Sequence, residues 1–147
     1  MININIERPG FPIKVGEVEL WFDMSLEKQE RMPAIQKDFH NQMKFIEDET
    51  FKLLKEAEES DGSNQDEINK KALESYKKVL EIAFDEIFDE GTFNKLYSVY
   101  PYVESLTDVY VSISEHVGSQ IEKYNKKRVN EFENKKNKYL KKKNRKK

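Results

Sequence analysis

Cysteine is missing from this 147-residue chain. Its absence excludes disulfides, thiolate zinc sites and a cysteine nucleophile, and it fits a reducing compartment. Glycine (five) and proline (four) are scarce. With abundant Lys, Glu and Leu, that scarcity favours helix. His40 and His116 are the only histidines. Neither has a second His or a Cys at ligand spacing, so both read as surface or boundary residues rather than metal ligands. No window approaches the run of about 18 apolar residues that a membrane-spanning helix needs. Residues 1–11 lack the basic start and apolar run of a signal peptide. There is no GxGxxG, no P-loop and no nucleophile elbow, so no motif announces a reaction and none implies a cofactor.

What the chain has is charge, divided unevenly. Charged residues make up 37% of it, against about 25% in an average domain. From Lys123 to Lys147 there are 13 Lys/Arg and two acids, Glu131 and Glu133, a net of +11. The remainder holds 13 basic and 26 acidic residues, a net of −13, so the overall −2 conceals an acidic body and a basic tail. Such asymmetry points to something outside the domain: a nucleic acid, an anionic surface or an acidic protein. Aromatics at 12% argue against global disorder, since large apolar side chains offset the entropy of ordering.

Along the chain, Ile2, Ile4 and Ile6 alternate with Asn3 and Asn5, the period of a half-buried strand. Ile13–Val15 and Val18–Phe22 flank Gly16-Glu17, which reads as a tight hairpin. Residues 1–23 are therefore expected to form a small β element, a hairpin plus one strand, packed on helices because a lone hairpin is marginal. Trp21 and Leu20 have no core of their own, so helicity is expected to survive deletion of residues 1–22. Ser25 suits a helix N-cap. Pro33 either ends a short first turn or opens a new helix, and a helix is expected over about 33–59, its buried face being Ile35, Phe39, Met43, Ile46, Leu53, Leu54 and Ala57. Residues 60–64 are a turn cluster, and a second helix is expected over about 65–89. Gly91 suits its C-terminal cap, and Thr92 can cap a short helix that ends at Pro101. From Val103 to Tyr124 apolar residues step by three or four. Continued to Lys143, this last helix would have a length of about 62 Å. Lys141 to Lys147 are expected to be frayed.

Asp85, Glu86, Asp89 and Glu90 crowd the end of the second helix, where acids oppose the macrodipole. A solvated face is the main reading and docking of a basic segment the sharper one. Residues 61–67 resemble a calcium loop only faintly, with glycine and glutamate misplaced, and read as a turn. Phe84, Phe88, Phe93, Tyr97, Tyr100 and Tyr102 lie within nineteen residues. Most read as core, and a fraction as an exposed docking face, for which Phe88, Phe93, Tyr97, Tyr100 and Tyr102 are the candidates. In the tail, Lys135, Lys136, Lys141, Lys142 and Lys143 are the candidate partner contacts.

Val79–Leu96, an aromatic helix end running into Phe88-Asp89-Glu90-Gly91-Thr92, resembles a motif of small helical tail assembly chaperones from siphophages and prophages of Gram-positive bacteria. The opening Val18–Asp23 and the Lys/Arg-rich end look like theirs. About thirty residues carry the motif. The N-terminal arm (Met1 to Pro12) and the extended lysine run depart from the pattern. The resemblance implies a non-enzymatic chaperone in the host cytoplasm. Its partners would be the tape measure protein and tail-tube subunits; the residues leave a homo-oligomer open and offer no membrane-spanning run. It also implies a longer frameshifted product arising near Lys135–Lys143, against the plainer reading that an AT-rich genome writes many lysines. The alternative function is a nucleic-acid-binding accessory protein acting through the basic tail. The expected fold is mainly α: three to four helices, a long amphipathic C-terminal helix and a small N-terminal β-hairpin. The expected organisation is a β element at 1–23, a helical domain at 24–124 and a basic helical or disordered tail at 125–147.

Overall fold

The structure, a computed structural model, describes residues 1–145. Two strands, β1 (Gly10–Val15) and β2 (Val18–Asp23), are followed by α1 (Leu26–Ser60), α2 (Gln65–Ile87), α3 (Thr92–Val99) and α4 (Val103–Arg145). This is the mainly helical fold with an N-terminal hairpin that the sequence predicts. The chain divides into two compact units, Met1–Tyr110 and the segment from Val111 onward.

The hairpin forms where expected. β1 and β2 pair antiparallel from Gly10 opposite Asp23 to Val15 opposite Val18, and Gly16 turns between them at φ 58°, where glycine carries no steric cost. The tyrosine hydroxyl of Tyr100 accepts a hydrogen bond from the Glu17 amide at 2.9 Å. A Cβ on Gly16 would overlap that hydroxyl, so glycine is required here twice over. The additional strand at Ile2–Ile6 does not form. Residues 1–9 are irregular, and Ile2, Ile4 and Ile6 are each more than four-fifths exposed. Pro9 offers no amide donor, and Gly10 at φ 136° turns the chain away from extended geometry. Deleting residues 1–7 should therefore shift the melting temperature by no more than about 2 °C. A loss above about 5 °C would mean that the isoleucines pack somewhere.

The hairpin packs into the core of the helices, as a lone hairpin must. Val18, Leu20, Phe22 and Met24 are buried, Phe22 and Met24 completely. Phe22 meets Phe88 edge-on at 5.9 Å and Phe11 at 5.4 Å. Phe84 is the hub of the first unit, with ring centroids 5.4 to 6.4 Å from Tyr110, Phe93 and Phe88, and Phe39 lies 4.3 Å from Tyr110.

Helix α1 starts at the expected cap. Ser25 Oγ accepts from the Lys28 amide at 3.3 Å, while Ser25 itself donates to the Asp23 carboxylate through its amide and hydroxyl. The helix then runs through Pro33 without a break, starting earlier than the expected 33. Pro33 removes one intrahelical bond and strains the preceding turn. Its own ring is exposed, and buried Lys28, Met32 and Ile35 on either side hold the segment helical. At the far end the Gly62 amide donates to Ala57 O at 2.8 Å with Gly62 left-handed at φ 72°, a Schellman-type stop. The Asp61 carboxylate accepts from the Ser63 amide and hydroxyl. Those bonds hold its pKa below the usual value and make 61–64 a turn.

The acidic knot is largely explained by its neighbours. Asp85 Oδ1 accepts from the Phe93 amide at 3.0 Å, and Asp89 exchanges hydrogen bonds with the Thr92 hydroxyl. Asp85 thus caps an amide at the start of α3 and Asp89 holds the Thr92 hydroxyl beside it, where a negative charge is favoured. Gly91, expected to close the second helix, is instead the left-handed N-cap residue of α3. Phe88 closes α2. Lys28 Nζ donates to the carbonyls of Glu86 and Phe88, so the cation that complements the C-terminal end of α2 comes from α1. The last helix reaches Arg145, so Lys141–Lys143 continue it instead of fraying. Lys146 and Lys147 lie outside the described residues.

Candidate functional site

The five aromatic candidates are not one surface. Phe88 and Phe93 are core residues, 7% and 0% exposed, and cannot meet a partner in the folded protein. Tyr97 is half-buried, stacked on Phe93 at 5.5 Å with the Lys77 ammonium 4.2 Å from its ring centre. Tyr100 holds the hairpin turn. Tyr102 alone of the five is open, at 59%. The aromatic cluster is thus mainly the seam that joins the hairpin, the α2–α3 junction and the start of α4.

An open apolar surface exists elsewhere, along the hairpin of α1 and α2. The two helices pack antiparallel, and small residues Ala57 and Ala72 are buried near their connection. Beside them lies a groove of about 570 Å³, floored by Phe45, Ile46, Leu53, Ala57, Ile68 and Ala72. Phe45 is 66% exposed and Leu53 44%. Its rim carries Glu49, Glu56, Glu67 and Lys71, and Lys71 already faces Glu67 at 3.9 Å. The rim is therefore net acidic. Across the helix pair, Tyr76 has its hydroxyl pKa raised by burial and then by the Glu47 charge. Leu73 and Phe51 are also exposed, but neither lines the groove.

The sequence reading missed this groove. Leu53 falls on the expected buried face of α1 yet stays open, and Phe45 and Phe51 stand outside that stripe. Their displacement from the stripe is the one signal in the sequence that could have marked them.

The second candidate surface is the distal part of α4. Lys135, Lys136, Lys141, Lys142 and Lys143 are all exposed, as are Val129, Phe132, Tyr139 and Leu140 between them. The Arg128 guanidinium lies 5.8 Å from the Tyr124 ring centre, and Lys126 faces Glu122 at 3.6 Å in a solvent-exposed pair, which contributes little. Because the side chains from 135 to 143 are exposed, removing residues 135–147 should change the melting temperature by no more than about 2 °C. A larger fall would show that Tyr139 or Leu140 is packed.

His40 is exposed, and His116 Nδ1 lies 2.7 Å from Ser112 O within its own helix. Among the described residues no group of three or more His, Asp or Glu is placed to hold a metal ion, and no helix is long and apolar enough to cross a membrane. No family model matches the chain, and no curated protein or solved structure matches it either.

Proposed function

We propose that this protein is a tail assembly chaperone. In this reading it binds the tape measure protein in the bacterial cytoplasm, assists tail-tube assembly and carries out no catalysis. The observation that carries the reading is the α1–α2 groove, an open apolar floor with a charged rim on a domain whose own core is already filled. An amphipathic helix laid in such a groove places its apolar residues on the floor and its polar face in water. A tape measure protein is a long helical chain whose apolar stripes aggregate when bare, and many copies of a weak groove can cover it through avidity. The Val79–Leu96 resemblance supplies the identity of the partner. The test is binding of the purified chain to purified tape measure protein, followed by size-exclusion chromatography. Leu53→Glu with Ile68→Glu should weaken the complex at least about tenfold, since a charge on an apolar floor is left unpaired. Undiminished binding by this variant would refute the groove as the site.

The basic helix favours a second reading, nucleic-acid binding. Ten Lys/Arg side chains between Lys123 and Lys143 are exposed on α4, and phosphate contacts require no more than that. The two readings separate by salt. Phosphate binding falls steeply, by about one power of salt concentration per contact, whereas apolar docking persists.

A further inference from the structure

We propose that the basic distal part of α4 from one copy docks in the α1–α2 groove of a second copy. The proposal rests on the groove being a receptor for helices, as read above, and adds a specific occupant.

The two surfaces have matching chemistry. Val129 and Phe132 are three residues apart, and Tyr139 and Leu140 follow seven and eight residues after Phe132. These spacings bring all four to one side of a helix. All four are between 44% and 70% exposed, so α4 offers an amphipathic row with nothing on it. Lysines border and interrupt that row: Lys135 and Lys142 lie at its edge, and Lys136 and Lys143 fall within it by helical spacing, all four exposed. The groove presents the complement, an apolar floor under Glu49, Glu56 and Glu67 with a single cation, Lys71, already facing Glu67.

Charge also selects the geometry. The chain is −13 up to residue 122 and +11 from residue 123. Pairing two tails would set lysines against lysines, and pairing two grooves would set glutamates against glutamates. Tail into groove is the arrangement in which opposite charges meet, and like-charge juxtaposition elsewhere selects against the alternatives. It is heterologous: each copy uses one surface to give and another to receive. Such contacts propagate into rings or open chains instead of stopping at a dimer. The groove has only one place for a helix, so a client helix and a neighbour's tail compete for it. Free chaperone therefore keeps its own apolar groove covered until a client displaces the tail.

Sedimentation velocity of the full chain tests this. Over about a hundredfold range of concentration, the mean mass should rise with concentration, and raised salt should reverse the rise. Glu49→Lys with Glu56→Lys and Glu67→Lys should weaken association about tenfold or more, and so should Lys135→Glu with Lys136→Glu and Lys142→Glu. A chain carrying both sets exchanges the two charges and should associate within about threefold of the original. Circular dichroism of each variant checks that helicity is retained, and the recovery in the combined chain shows that neither set acts by unfolding. A mean mass that stays constant, or association unchanged by reversal at the groove, overturns the proposal. So does failure of the combined variant to recover. Two outcomes distinguish this proposal from the chaperone reading. If the groove reversal abolishes capture of the tape measure protein while self-association persists, the tail-in-groove contact is wrong and the chaperone reading stands. If self-association follows the charge exchange but capture ignores the groove, the contact stands and the chaperone reading fails.

Discussion

Phe22→Ala should destabilise the protein by about 3–5 kcal/mol, the usual cost of emptying a buried phenylalanine site. Phe22 is fully buried, and its ring contacts Phe11 on the facing strand and Phe88 at the end of α2. Truncation leaves a cavity that neither partner can fill without moving the α2–α3 junction, where Asp85 and Asp89 hold the start of α3. In a domain of this size the loss corresponds to a fall of roughly 10 °C or more in melting temperature. Thermal denaturation followed by circular dichroism measures it. A fall below about 3 °C would mean that the hairpin is an appendage and that the helices carry the core alone.

Lys28→Ala should cost about 2–4 kcal/mol, for a different reason. Lys28 is 5% exposed, and its ammonium is the donor to the Glu86 and Phe88 carbonyls at the end of α2. Its removal leaves acceptors at a helix terminus without this donor, at about 1–3 kcal/mol per buried group. Lys28→Met keeps most of the volume and isolates the hydrogen-bond loss, so it should fall between wild type and Lys28→Ala. The same site sets a pH dependence. Burial is the largest influence on the amine and, with the like charge of Arg31, holds its pKa below 10.5 against Asp23, Glu86 and Asp89, which raise it. In the unfolded chain the amine keeps its proton up to the ordinary value. Between the lowered pKa and 10.5 the unfolded state therefore binds more protons, and stability rises with pH through that window. Below the window both states are protonated and the full cost of burying the charge is present. Urea titrations of wild type and Lys28→Met across that range should differ by this rising component. Parallel curves would show that Lys28 titrates as it does in the unfolded chain.

Much of the fold was legible because local signals agreed with the tertiary structure. Gly16-Glu17 between two β-rich runs gave the hairpin. Ser25, Gly62 and Pro101 punctuate the helices, and the 3–4 spacing from Val103 carries α4. The failures share a cause: each depended on a partner distant in sequence. The Ile2–Ile6 alternation has the period of a strand, yet residues 1–9 stay irregular and pair with neither β1 nor β2. The acidic knot opposes the α2 macrodipole on sequence grounds, but Asp85 and Asp89 bond at the start of α3 and the cation at the end of α2 is Lys28, 58 residues earlier than Glu86. Pro33 looked like a boundary, yet buried residues on both sides carry the helix through it.

The site was less legible than the fold. The aromatic density from Phe84 to Tyr102 reads equally as core or as interface, and burial assigns Phe88 and Phe93 to the core. The groove depends on which sides of α1 and α2 are spent on each other. Periodicity alone assigns Leu53 to the interior, where it is not. The basic tail was evident from composition, because charge density needs no fold to be seen.

Solubility of the tape measure protein on co-expression tests the central claim most directly. With the wild-type chain, the tape measure protein should appear largely in the soluble fraction and co-purify with many copies of the chain. With the Leu53→Glu, Ile68→Glu variant, itself soluble and helical, it should move to the insoluble fraction. A tape measure protein that partitions identically with wild type, with the groove variant and without either would contradict the account.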